Sequence, residues 1–277
     1  FRAYSHFELV QLYGDAIVLT QPLDLDSEIL YGKRNDRGEV IDQVIKDLKE
    51  AAGSLPETSS EAGRLNKYIA YAMLSRVALY EGTWQKFHTN GKDATSNTTR
   101  STELLTIARD AANEVIKGGK YKIFYNEKLA NESYRYMFTL EDGAQCNPAN
   151  LSKSDNTEYI FVKRHRNGDK TAWNLTHGMV ANARERTVEL VLEGFRIDDL
   201  KRWATAPVEM PQDQLGVQVT GTWFETNWTD HKRSLSSDGC LILYSDRTWN
   251  DKLYLYPLPS DQLQLNPQLE QNPGWKN

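Results

Sequence analysis

Residues 63–84, GRLNKYIAYAMLSRVALYEGTW, decide the fold. Ile69, Ala72, Met73, Val77 and Tyr80 recur every three or four residues, so a helix over about 64–80 carries one apolar face. Alanines at 70, 72 and 78 leave room for a second helix to approach closely, and Gly82 is expected to end the element. Upstream, Val40, Val44, Leu48, Ala51 and Leu55 line another helix. Glu39 and Asp42 sit near its start, where the helix dipole favours negative charge, and Pro56 follows its end. Downstream, the Thr, Asn, Ser and Gly residues of 89–102 form a polar loop before Leu105, Ala108, Ala112, Val115 and Ile116, a third helix closed by Gly118 and Gly119. Such helices pair antiparallel, as in tetratricopeptide-type repeats, although no strict 34-residue period can be counted.

Working outward, Ala3, Phe7, Val10 and Tyr13 share helical spacing up to Gly14. This helix opens with no cap, which leads us to expect sequence upstream of Phe1. Residues 16–31 are extended and irregular, with Pro22 and the acidic Asp24, Asp26 and Glu28. The helical period disappears over 121–182, where Glu158 to Val162 is a short strand candidate. A long helix returns over about 184–203 through Val188, Val191, Leu192, Phe195 and Leu200, with Gly194 in its interior. A strand-like run, 253–258, precedes a Pro- and Asn-rich end.

The residues exclude several kinds of chemistry. With 33 Lys plus Arg against 38 Asp plus Glu, the net charge of −5 removes the broad positive field that non-specific nucleic-acid binding requires, leaving only local basic patches open. Cys146 and Cys240 fit no CxxC spacing and permit either one bridge or two free thiols. His6, His88, His165, His177 and His231 show no metal-ligand spacing, and no nucleophile elbow or nucleotide loop is present. Gly216 and Gly221 read as turn residues in a polar loop. Glu185, Glu189 and Glu193 interleave with Arg184, Arg186 and Arg196, so ordinary helix ion pairs outweigh an acid and base dyad. The chain is therefore expected to need no cofactor or metal and to lack a catalytic centre.

Tyr (14) and Trp (7) together far exceed Phe (8), a bias toward aromatics that keep one edge wet. Those in irregular regions are Trp173 beside Asn174, Trp223, Trp228 beside Asn227, Tyr244, and Trp249 beside Asn250. An aromatic face can stack on the C–H face of a sugar while neighbouring polar groups bond its hydroxyls. We take Trp173, Asn174, Trp223, Trp228, Tyr244 and Trp249 as candidate ligand-binding residues.

Several stretches together resemble the SusD/RagB family of outer-membrane nutrient-binding lipoproteins. They are FRAYSHFELVQLYGDAIVLTQPL (1–23), VIDQVIKDLKEAAGSLPE (40–57), residues 63–84, ARERTVELVLEGFRIDDLKRW (183–203) and LYLYPLPSDQLQLNPQLEQNPGW (253–275). The resemblance implies a mainly helical fold, a tetratricopeptide-like scaffold with a loop-rich, ligand-facing region and a few short strands. It makes Trp84, Gly194, Phe195, Arg196, Trp203, Asn272, Pro273 and Trp275 residues of the fold. It also implies a binding protein rather than an enzyme, at the cell surface and lipid-anchored to the outer membrane. Such a protein captures an oligosaccharide or other nutrient and passes it to a SusC-like TonB-dependent transporter.

Two features depart from the family pattern. Its lipid-anchor Cys and the portion before the first motif do not occur in this chain. Only about twenty residues separate 158–165 from the charged helix, too few for the helical hairpin usual there. We therefore expect one SusD-like domain over 1–277 that is incomplete, with sequence joined across a gap between Gly168 and Ala183. The alternatives are an intracellular helical-repeat scaffold for protein partners and, ranked below it, a helical glycoside hydrolase.

Overall fold

The computed structural model describes residues 1–24, 26–59, 61, 63–88, 97–137, 140, 147–161, 195–227 and 234–276. Among them four long helices follow one another: α1 (Arg2–Tyr13), α2 (Arg37–Ser54), α3 (Lys67–Phe87) and α4 (Thr98–Gly118). Each packs on the next with its direction reversed. Arg2 at the start of α1 forks onto Asp47 late in α2 at 2.7 and 2.6 Å. On the next pair, Ser75 donates to Ala108 O at 2.8 Å and Ser101 to Gly82 O at 2.7 Å, so the sequence numbers run in opposite senses. The scaffold is the mainly helical, tetratricopeptide-like arrangement that the apolar spacing predicts.

Local chemistry explains most of the helix ends. Asn66 and Asn97 accept the Ile69 and Arg100 N–H groups at 3.0 and 2.9 Å, capping α3 and α4. Gly119 adopts φ +63°, a left-handed residue that closes α4. The start of α2 depends on tertiary structure, because Asp15 from the preceding loop accepts the Arg37 N–H at 2.9 Å.

Gly82 does not stop α3, which continues to Phe87. A Cβ at Gly82 would lie 3.0 Å from Leu105 and 3.3 Å from Leu104, so the glycine is a point of close approach for α4. On α2 the apolar face is turned slightly from the expected one, with Ile41, Ile45 and Ala52 buried and Ala51 and Leu55 only partly covered. Ile116, expected in the core, is 72% exposed.

The helices enclose Phe7, Val10, Val40, Val44, Leu74, Val77 and Leu104, each nearly inaccessible to water. Within this apolar core, Arg37 Nε meets Glu81 Oε2 at 2.8 Å, with the two side chains 7% and 1% exposed. The Arg37 guanidinium lies 3.9 Å over the Trp84 ring, and Gln85 donates to the second Glu81 oxygen at 2.9 Å. Burial raises the neighbouring Tyr80 hydroxyl to about 12. Trp84 stacks on His88, ring centres 3.8 Å apart, and His88 Nε2 lies 2.8 Å from Lys201 O.

That contact docks the helix Phe195–Arg202 on α3. Arg202 donates to Asp199 at 2.8 Å and to Thr83 Oγ1 at 2.9 Å, which fixes the angle of approach. Of the helix expected over 184–203, the part before Phe195 lies outside the described residues, as do Glu185, Glu189, Glu193, Gly194 and the expected join between 168 and 183.

Asp198 on this helix accepts from Gln11 Nε2 at 2.9 Å. Burial raises its pKa from 3.8, reinforced by Glu8 and opposed by Arg76, Lys201 and the Gln11 bond. A carboxyl with a raised folded pKa weakens the fold once pH exceeds the unfolded value and has no such effect below it. Asp198→Asn, which keeps an acceptor for Gln11, is therefore expected to raise Tm near neutral pH. The gain should fade as pH falls through 3.8. A Tm lowered at pH 7, read by circular dichroism, would contradict this.

The run 253–258 forms no strand. Asp251–Tyr254 is one tight turn, and the extended chain beyond it lies against α1, where Tyr256 N–H donates to Leu12 O at 2.7 Å. The tail then returns to the loop before α2. Asn272 donates to Tyr13 O and Tyr256 O at 3.1 and 2.6 Å and accepts from Arg34 at 3.0 Å. Asn266 donates to Leu30 O and Gly32 O at 3.1 and 3.0 Å. Trp275 Nε1 donates to Lys252 O and Leu255 O at 3.1 and 3.0 Å. Residues 158–161 also form no strand, and Val162 lies outside the described residues.

Candidate functional site

Beyond the scaffold, β1 (Gln214–Gln218) pairs antiparallel with β2 (Cys240–Tyr244) in register Gln214 with Tyr244 and Gln218 with Cys240. Gly216 is part of β1, contrary to the turn expected there. A Cβ on it would come 3.2 Å from Leu243, so the glycine lets that side chain cross the strand. Cys240 is a free thiol whose Sγ lies 2.9 Å from Gln218 Oε1.

After β1 the chain passes the buried Val219 and turns through Gly221, at φ +77°, into the short helix Trp223–Asn227. A helix of five residues is not stable alone. Here polar groups on both sides hold it. Thr222 Oγ1 donates to Val219 O at 2.8 Å and accepts the Phe224 N–H at 3.3 Å. Glu225 accepts the Gly221 N–H at 2.8 Å, and Asn227 donates to Trp223 O at 2.9 Å.

The consequence is a backbone turn held by hydrogen bonds, with its aromatic ring left open to water. Trp223 is 68% exposed and meets Phe224 edge to face at 5.5 Å. Leaving so large a ring uncovered forgoes roughly 1.5–3 kcal/mol of burial. The sequence reading missed Phe224 and Glu225. The Gly-Thr turn followed three residues later by Glu, as in GTWFE, is the signal that could have found the ledge.

The structure separates the other candidates. Tyr244 is 65% exposed but lies at the far end of β2 from the Trp223 turn. Four strand steps place it about 13 Å along the ladder. Trp249 is half-buried, packs edge-on against Tyr254 at 5.1 Å and donates to Asp251 at 3.0 Å. Tyr254 in turn meets His88 at 4.9 Å, so Trp249 extends the aromatic seam of the core. Asn250 accepts the Lys252 N–H at 3.1 Å and caps the adjacent turn. Trp173, Asn174 and Trp228 lie outside the described residues. Among the described residues no group of His, Cys, Asp and Glu could hold a metal ion, and no helix is long and apolar enough to cross a membrane.

Comparison with known proteins follows the same two regions. Residues 178–275 match the model of the SusD family, and residues 1–79 match a model described as starch-binding associating with outer membrane. Two SusD-like proteins of Formosa agariphila are 31% identical over 86 residues and 33% identical over 85 residues. The matches take in 30% and 31% of this chain, and only 16% and 17% of those proteins. A SusD-like protein of Bacteroides fragilis superposes with a TM-score of 0.57 at 17% identity, covering 99% of this chain and 78% of its own. A second from that organism, described as a SusD-like carbohydrate binding protein, gives 0.59 at 12% identity, covering 97% and 78%. At such identities the superpositions establish the fold alone. The chain is thus similar to the SusD family over residues 178–275 and shares the fold of SusD-like proteins along its length.

Proposed function

We propose that the protein binds a glycan at the cell surface and that Trp223 is the centre of its contact. The supporting observation is a large ring, 68% exposed, carried by a turn whose backbone is held by local hydrogen bonds. A ring on a backbone already held by hydrogen bonds needs little further ordering of the chain on binding, which favours stacking on a sugar face. Tyr244 would contact a more distant residue of the same oligosaccharide. Trp249 serves packing instead.

On this reading the protein holds and releases its ligand without altering it. Stacking with a few hydrogen bonds gives an affinity modest enough for transfer, because tight binding slows release. The family description supports association with the outer membrane. From the family we further infer a lipid anchor upstream of this chain and delivery to a SusC-like TonB-dependent transporter. The single incomplete SusD-like domain expected over 1–277 belongs to the same proposal.

Trp223→Ala is expected to weaken binding to a recognised glycan about tenfold, a change of about 1.4 kcal/mol. Stability should change by less than about 0.5 kcal/mol, since little of the ring is packed. Titration against an oligosaccharide panel by calorimetry, with a parallel urea melt, measures both. Binding left unchanged by Trp223→Ala and by Tyr244→Ala would defeat this placement.

A further inference from the structure

The chain leaving α1 is tied down at several points before it reaches Pro22. Ala16 and Asn35 exchange backbone hydrogen bonds at 3.2 and 3.0 Å, and Asn35 Oδ1 accepts the Val18 N–H at 3.0 Å. Further along, Arg2 Nη1 donates to Thr20 O at 2.8 Å. Between these ties the Leu19 N–H donates to His6 Nε2 at 3.0 Å, and it has no other acceptor among the described residues. On the other side of the ring, His6 Nδ1 lies 2.9 Å from Arg2 O, one turn back on α1. His6 is 5% exposed.

These two partners settle the state of the ring. A carbonyl oxygen only accepts, so Nδ1 carries a proton. A backbone N–H only donates, so Nε2 must offer its lone pair. The bond to Leu19 therefore belongs to neutral imidazole and is lost on protonation, when two N–H groups would point at each other. Histidine is the side chain that ordinarily changes charge between pH 5 and 8.

The charged groups facing the ring are Arg2 on its own helix and Asp47 on α2, bonded to each other at 2.7 and 2.6 Å, with Glu50 of α2 also close to Arg2. Residues 16–20, AIVLT, bring no titratable side chain. The Arg2 bond holds the Asp47 carboxyl below its ordinary 3.8, helped by Gln43 and opposed by burial. Asp47 thus stays ionised, and Arg2 stays fixed, throughout the range in which imidazole titrates.

We propose that His6 is an acid-released latch on this segment. Below neutral pH the ring takes up a proton, Leu19 loses its acceptor, and the chain from Leu19 towards Pro22 loosens from α1. The ties at Ala16, Val18 and Thr20 involve no imidazole, so the helical core stays folded and the loosening is local. The latch does not depend on glycan binding.

Hydrogen exchange followed by NMR on the intact chain tests this, with protection at each pH taken relative to an unstructured amide. Leu19 protection is expected to fall about tenfold or more from pH 8 to pH 5, as the N–H is orphaned. The Ile69 amide, held by Asn66 Oδ1, reports any general loosening and should not change. His6→Gln retains a neutral acceptor and should keep Leu19 protection level across the same range. Nitrogen-15 shifts of the His6 ring should show a protonated Nδ1 and a bare Nε2 at pH 8, and both protonated at pH 5. These shifts, read on the parent, decide the matter should the Gln variant fail to fold. The proposal is overturned by flat Leu19 protection in the parent, by a fall that Ile69 shares, by an equal fall in His6→Gln, or by a ring still neutral at pH 5.

Discussion

Replacing Arg37 by Ala is expected to lower the unfolding free energy by about 3–5 kcal/mol. The Glu81 side chain is 1% exposed, and removing its partner leaves a carboxylate in an apolar core with Gln85 as its remaining side-chain hydrogen-bond donor. The guanidinium also covers the Trp84 ring at 3.9 Å, so its removal uncovers that face. The double variant Arg37→Met with Glu81→Leu should cost less than Arg37→Ala alone, because no charge is then stranded. Urea melts of the parent and both variants separate these outcomes. A loss below about 1 kcal/mol for Arg37→Ala would show that water reaches the pair.

The second large effect is expected at the tail. Asn272→Ala should cost about 2–4 kcal/mol, since orphaned buried polar groups cost roughly 1–3 kcal/mol each. The residue is 3% exposed, and its amide serves Tyr13 O, Tyr256 O and Arg34 together. Asn272→Asp should not restore stability, because a carboxylate cannot donate to either carbonyl. Thermal melts that leave both variants within about 0.5 kcal/mol of the parent would remove Asn272 from the tail's fastening.

The legible parts of the sequence were those governed by local periodicity. α1 to α4 could be read because Phe7 and Val10, Val40 and Val44, Met73 and Val77, and Ala108 and Ala112 lie three or four residues apart, and Gly14 and Gly119 mark true ends with φ of +77° and +63°. Gly82 has the same appearance in sequence, yet its role depends on Leu104 and Leu105 of another helix. The strand pairing was hidden for a related reason: β1 is exposed on both faces apart from Gly216, so it shows no alternation to detect.

The site was less legible than the fold. Trp223 and Trp249 both occur in polar stretches next to or near Asn, and nothing local distinguishes them. Tyr254 and Asp251 turn Trp249 into packing, whereas the Gly221 turn presents Trp223 to water. The distinction rests on Tyr254 being seated against His88 of α3, a contact that spacing does not encode.

The bonds between the tail and the loop before α2 have a further consequence. A row of helices in which each contacts only its neighbours is an open solenoid, and it can fray from either end. Here Arg34 and Asn272, 238 positions apart, are joined at 3.0 Å, and the tail also covers the end of α1. The tail therefore clamps the first hairpin at both α1 and the loop before α2, so that end of the row cannot fray until the tail lets go, a long-range tie that helix stacking alone would not give.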